Sequence, residues 1–171
     1  MKSGDLMLTP MGLRVRGRVL PCTIGRSGVT TRKREGDGAT PAGVHGIVGC
    51  LYRPDRMAQP VDWALPIGPM DLWSDDPRAG DYNKMVRAPY AFSHERLRRA
   101  DPMYDLVLIL DWNWPVSHPG QGSAIFIHRW RRPGAPTAGC IALGAEDLLW
   151  LVRGLRHADR VIVPEGLSKT L

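Results

Sequence analysis

Gly122-Ser123-Ala124-Ile125-Phe126-Ile127-His128 is an apolar stretch of strand length that closes on a histidine. Twelve residues later comes Cys140, inside Thr137-Ala138-Gly139-Cys140-Ile141-Ala142-Leu143. A Pro- and Gly-rich segment, Arg131-Arg132-Pro133-Gly134-Ala135-Pro136, separates the two. A short apolar run bounded by turn residues reads as a buried strand, so Ser123 to His128 is expected as one strand. The continuous run Tyr104-Asp105-Leu106-Val107-Leu108-Ile109-Leu110-Asp111-Trp112 is expected beside it as a central strand.

Working outward, Leu13, Val15 and Val19 alternate with Arg14, Arg16 and Arg18, the period of a half-buried strand with one basic face. They follow the turn signal Thr9-Pro10-Met11-Gly12, so a hairpin from Leu6 to Leu20 is expected. Arg32 to Gly43 reads as a long turn-rich loop, and a further strand is expected at about Val44 to Tyr52. From Pro54 to Pro102 prolines, aspartates and the aromatics Trp63, Trp73, Tyr82 and Tyr90 occur without sustained periodicity. Loops of that length in a compact domain are usually functional. After Cys140, Gly144-Ala145-Glu146-Asp147 opens a helix whose early acids suit the macrodipole. Leu148, Leu149, Leu151, Val152 and Leu155 give that helix a buried face, Arg153 and Arg156 lie near its end, and Val161-Ile162-Val163 closes as a last strand. The pattern predicts a mainly β chain, one domain over residues 1–171 with a few short helices.

The histidine and cysteine have the makings of a base and its nucleophile. The attacking species of cysteine is the thiolate, and a free thiol with a pKa of about 8.5 is mostly protonated near neutrality. An imidazole can take that proton. Gly139, without a Cβ, lets backbone N–H groups converge on a substrate carbonyl as an oxyanion hole, and the Thr137 hydroxyl can brace the loop. The same residues also suit a buried core thiol and a hydrogen-bonded structural histidine.

Composition narrows the remaining classes. The chain has 171 residues, long enough for a sizeable core without staples. No stretch approaches the roughly 18 uninterrupted apolar residues of a membrane span. Residues 1–10 show no long apolar h-region and no small-residue cleavage pattern, so either export by that route is not expected or a leader lies outside this sequence. The net charge of +6 rests on 19 arginines against four lysines. Arginine suits bidentate recognition of carboxylates and phosphates, which makes an anionic substrate plausible. The arginines are dispersed among acids and no nucleic-acid-binding motif is present, so no nucleic-acid partner is expected. Absence of CxxC and HxxxH spacings argues against a metal site, and no cofactor is expected. Cys22 and Cys50 either pair in an oxidising compartment or are two separate buried thiols.

Four motifs, in order, resemble those of the L,D-transpeptidase catalytic domain, also called YkuD-like: Arg34-Glu35-Gly36-Asp37-Gly38-Ala39-Thr40-Pro41-Ala42-Gly43, Tyr82-Asn83, Gly122 to His128, and Thr137-Ala138-Gly139-Cys140. The resemblance covers nearly the whole chain. It implies a β-sandwich-like fold acting on peptidoglycan stem peptides, with Cys140 as nucleophile, His128 as general base and the backbone carbonyl of Arg129 as third member. Gly139, Thr137 and Ala138 would form the oxyanion loop; Arg26, Arg131, Arg132, Tyr82 and Asn83 would bind substrate. The implied reaction passes a thioester from a donor stem to the side-chain amine of a diaminopimelate, making a 1-3 or 3-3 cross-link, with the 1-3 bond carrying somewhat greater weight. A carbapenem is the implied inhibitor, and the periplasm or cell envelope the implied location. Two departures bear on specificity: Ala138 stands where the family's loop usually has histidine, and Ala142 where Asn or Arg is common. The nearest alternative uses water as acceptor, an L,D-carboxypeptidase or endopeptidase; a more distant one is a non-catalytic peptidoglycan- or nucleic-acid-binding module.

Overall fold

A computed structural model describes residues 4–156 and 159–167; the first three residues of the N-terminus read for a leader lie outside the described residues. In chain order the strands are β1 (Leu6–Thr9), β2 (Gly12–Val15), β3 (Arg18–Leu20), β4 (Cys22–Thr23), β5 (Val29–Thr30), β6 (Thr40–Pro41), β7 (Gly43–Tyr52) and β8 (Leu65–Pro66). There follow β9 (Asp71–Ser74), β10 (Met85–Arg87), β11 (His94–Arg96), β12 (Leu106–Leu110), β13 (Phe126–Arg129), β14 (Ile141–Leu143), the helix α1 (Ala145–Gly154) and β15 (Arg160–Val163). The chain is mainly β, as expected, with one α-helix and one short 3-10 turn among the described residues.

The main sheet runs β3-β2-β1-β15-β7-β12-β13-β14-β4, with β8 also paired to β7. Its two ends, β3 and β4, are consecutive in the chain and separated only by Pro21, so the sheet curls almost onto itself. The long strand β7 joins its halves. Gly43 to Gly46 pair with β15, and Ile47 to Tyr52 pair with β12.

Period-two alternation divides the sheet's residues between two cores. Leu106, Leu108 and Leu110 of β12, Ile127 of β13, and Ile141 and Leu143 of β14 pack inside the curl with Leu148, Leu151 and Val152 of α1. Val107 and Phe126 point the other way, into a second core with Trp73, Leu97, Tyr104 and Cys140. That second core is covered by a small sheet of order β10-β9-β11, whose Trp73 meets Phe126 edge-on at 4.9 Å between ring centroids.

Three local expectations are corrected. The alternation from Leu13 to Val19 does not run through one arm, because Arg16 and Gly17 have φ of 47° and 76° and make a two-residue turn. Past that turn the facing pairs are Leu13 with Leu20 and Arg14 with Val19, so Val19 shares the outer face with Arg14 and is 48% exposed. The strand expected from Ser123 begins only at Phe126, since Ala124 adopts φ 52° and breaks the extended run. The segment from Pro54 to Pro102 is not featureless. Its strands β8 to β11 are two to four residues long, too short to leave a periodic signature. Cys22 and Cys50 are both buried and no disulfide joins them, so they are two separate thiols. No helix among the described residues is long and apolar enough to cross a membrane.

Leu108 lies in the central strand with no exposed surface. Leu108→Ala should destabilise by about 2–5 kcal/mol through lost burial and a residual cavity, read as a lower urea midpoint. Val48→Ala, at a half-exposed position of β7, should stay within about 0.5 kcal/mol of wild type.

Candidate active site

β13 and β14 run parallel, with Ile127 opposite Ile141 and His128 opposite Ala142. Because Ile127 and Ile141 face the inner core, the alternation turns Phe126, His128 and Ala142 to the opposite face. Cys140, one residue before β14, joins them there: the Phe126 N–H approaches its Sγ at 3.4 Å.

The loop that delivers Cys140 is fixed from both sides. Thr137 donates its N–H to Ile24 O at 3.0 Å, and its carbonyl accepts from Arg26 N–H at 2.9 Å. Its hydroxyl donates to Cys140 O at 2.6 Å and accepts from the Gly139 N–H at 3.1 Å, the bracing expected of it. Gly139 has φ 146°, and a Cβ there would lie 2.9 Å from Ala39 O, so any side chain would be strained and would push the loop off its neighbour. Thr40 completes the clasp by donating to Gly139 O at 2.8 Å. The Gly139 amide is thereby engaged by Thr137.

His128 is 3% exposed, and its Nδ1 lies 2.7 Å from the carbonyl of Arg129. A carbonyl only accepts, so Nδ1 carries the proton and Nε2 keeps its lone pair. Burial lowers the imidazole to about 4 despite that hydrogen bond, and the charge of Arg99 adds to the lowering. The Tyr104 ring meets the imidazole edge-on at 5.3 Å. Burial pushes the Cys140 thiol up to about 12, reinforced by the negative charge of Glu95 and opposed by the Phe126 N–H and Lys33. The resting pair is therefore a neutral thiol and a neutral imidazole. The thiol donates not to His128 but to Ala124 O, at 3.1 Å.

Ala124 is held in its left-handed conformation by Asn83, whose Oδ1 accepts the Ala124 N–H at 3.0 Å and Trp73 Nε1–H at 3.1 Å. Asn83 Nδ2 donates to Trp112 O and Asn113 O at 3.1 and 2.9 Å. Tyr82 donates to Glu35 Oε2 at 2.5 Å, an oxygen that also accepts from Ser123 at 2.7 Å. Tyr82 and Asn83 are 2% and 3% exposed and lie outside the cleft lining, so they buttress the site where substrate contact was expected of them. The physical reason is saturation: the Asn83 amide group is already hydrogen-bonded through both its oxygen and its nitrogen.

These residues stand around an open cleft of about 900 Å³. Cys140, His128, Thr137, Ala138, Gly139, Arg26, Arg131 and Arg132 all line it. Arg129 contributes its carbonyl from outside the lining. Sequence reasoning missed Lys33, Glu35, Asp75, Glu95, Arg99 and Tyr104, which complete the walls. Lys33 and Glu35 fall in the turn-rich loop already singled out, but Asp75, Glu95 and Arg99 come from the aperiodic segment, where no pattern marks them. Such a cleft, lined by both a thiol and an imidazole of fixed tautomer, is equipped for acyl transfer.

A family model of the L,D-transpeptidase catalytic domain, YkuD, matches residues 11–163. No curated protein and no solved structure matches the chain.

The neutral imidazole makes stability depend on pH with a definite sign. As pH falls, the unfolded chain binds the histidine proton near its ordinary value of about 6.5, before folded His128 does at about 4. The stability is full above about pH 6.5 and declines by about 1.4 kcal/mol per unit down to about pH 4. His45, also lowered by burial, acts in the same sense. Urea midpoints measured from pH 8 to 4.5 should fall, and His128→Gln should flatten the slope; an unchanged slope would contradict a buried neutral His128.

Proposed function

Because this chain belongs to the L,D-transpeptidase catalytic domain family, whose members act on peptidoglycan, we propose that it is an acyltransferase of peptidoglycan stem peptides with Cys140 as nucleophile. The observation that carries this reading is the His128 Nδ1 to Arg129 carbonyl bond of 2.7 Å, which leaves the other imidazole nitrogen free as a base in the cleft that holds the thiol.

The reaction begins from the neutral pair. Since the thiol sits high and the imidazole low, no thiolate accumulates at rest, and the proton moves to His128 as Cys140 attacks the donor amide. Leaving Ala124 O frees the thiol for that transfer. The Cys140 amide serves as oxyanion donor in place of the occupied Gly139 amide. His128 then protonates the leaving amine, and the thioester passes to the side-chain amine of a diaminopimelate on a second stem. Arg26, Arg131 and Arg132, along the cleft, suit the stems' carboxylates. Ala138 in place of a larger residue leaves room beside the nucleophile, which favours a 1-3 over a 3-3 cross-link. Peptidoglycan as substrate places the enzyme in the periplasm or cell envelope.

Muropeptides incubated with the purified protein and analysed by tandem mass spectrometry test the reading. Dimers are expected, and a 1-3 dimer carries a donor stem shortened to its first residue. Trimmed monomers alone, at every acceptor concentration, would replace the transferase with a carboxypeptidase or endopeptidase. Cys140→Ala should abolish turnover, by a factor of at least about 10³ as for loss of a covalent nucleophile, without loss of the folded state by circular dichroism. A carbapenem should add its mass at Cys140 in intact-protein and peptide mass spectra, and an adduct on Cys22 or Cys50 would contradict the assignment.

A further inference from the structure

The cleft that holds Cys140 is also lined by two glutamates, Glu35 and Glu95, and the charge of Glu95 acts on the Cys140 thiol. Glu95 is on β11, whose partner strand β9 supplies the Trp73 that packs on Phe126. Each carboxylate is steered by a tyrosine: Tyr82 donates to Glu35 Oε2 and Tyr104 to Glu95 Oε2, both at 2.5 Å. In both cases Oε1 has no protein partner among the described residues, yet it is not sealed from the cleft. Neither glutamate forms an ion pair with a lysine or arginine among the described residues, while Arg99, whose charge acts on Glu95, is held bidentate by Asp101. A third carboxylate, Asp75, lines the same cleft with its Oδ1 buried and unpartnered.

A carboxylate such as Glu95 beside a nucleophile that must become anionic is unfavourable for the first half-reaction, since like charges oppose the thiolate. It becomes favourable once a cation is bound there. The acceptor of a transpeptidation is such a cation, because an alkylamine is an ammonium near neutral pH. Building on the transferase reading, we propose that Glu95, with Glu35 beside it, receives the ammonium of the acceptor stem and takes its proton, so that the acyl group passes to an amine in preference to water.

The step balances. The ammonium gives one proton to Glu95, and the freed lone pair attacks the thioester carbonyl. The C–N bond forms and the C–S bond breaks, the second amine proton passes through His128 to the departing Cys140 sulfur, and Glu95 returns its proton to solvent. Burial, together with the charges of Asp75 and Glu35, raises Glu95 above its ordinary value and outweighs the opposing Tyr104 hydrogen bond and Arg99 charge, which makes it a stronger proton acceptor than an exposed carboxylate.

The experiment separates the two half-reactions. Wild type and Glu95→Gln are given a tetrapeptide donor and an acceptor tripeptide ending in diaminopimelate, and acyl-enzyme, dimer and hydrolysed donor are followed by mass spectrometry. In Glu95→Gln the acceptor KM should rise and the dimer-to-hydrolysis ratio fall, each by about tenfold. Acylation of Cys140 should be no slower and, with one negative charge fewer, faster. A structural lesion would slow both halves together. In wild type, a quaternary ammonium analogue of the acceptor, unable to react, should compete with transfer and spare hydrolysis; this arm holds even if the variant fails to fold. A ratio unmoved by Glu95→Gln, or transfer indifferent to the analogue, overturns this inference alone. Absence of any acyl-enzyme in wild type overturns the transferase reading and this inference with it.

Discussion

The parallel pairing of β13 with β14 is the constraint on which the site depends. Two strands close in sequence cannot pair in parallel through a tight hairpin; the chain must travel back to the starting end before the second strand begins. Residues 130–140 make that return, which explains the prolines and glycines of the segment. The return sets Cys140 beside Phe126 at the start of β13 and two residues along the register from His128, both on the face away from the inner core. A hairpin of the same two sequences would have reversed that order.

Burial decides the protonation of the pair. Desolvation acts against whichever form is charged, so it lifts the thiol and lowers the imidazole together. A thiolate–imidazolium pair at rest would have to overcome both effects. The site instead holds the two groups neutral and points the thiol at a backbone carbonyl, which couples formation of the nucleophile to the arrival of substrate. Lys33 draws the thiol the other way, although its ammonium is already held by Asp37 at 2.6 Å and Arg34 O at 2.8 Å.

Behind the cleft, Asn83 transmits the position of the small sheet to the nucleophile. It lies in the left-handed region itself, at φ 58°, and its amide oxygen keeps Ala124 there too, at φ 52°. Non-glycine residues persist in that region only where their surroundings over-determine them. Trp73, Trp112 and Asn113 supply that surrounding through hydrogen bonds. The consequence is a carbonyl, Ala124 O, turned toward Cys140.

The sequence by itself determined the mainly β class, the existence of the central strand, which spans Leu106–Leu110 inside the expected run from Tyr104 to Trp112, the strand from about Val44 to Tyr52, the helix after Gly144 and the last strand, because hydrophobic period is a local property of long apolar runs. It also singled out Cys140, His128, Gly139 and Thr137, since a cysteine after glycine and a histidine closing an apolar run are visible without coordinates. Only the tertiary structure decided the rest. Val19 faces outward because a turn at Arg16-Gly17 resets the alternation; Tyr82 and Asn83 lie behind the cleft because their polar groups are consumed by distant partners; and the Gly139 amide is taken by a hydroxyl two residues away. Glu95, on a strand too short to show a period, and Asp75, just past the end of another, reach the cleft through packing of Trp73 on Phe126. Long-range hydrogen bonds and burial, which no local pattern encodes, fixed both the charge of the wall and the neutral state of the pair.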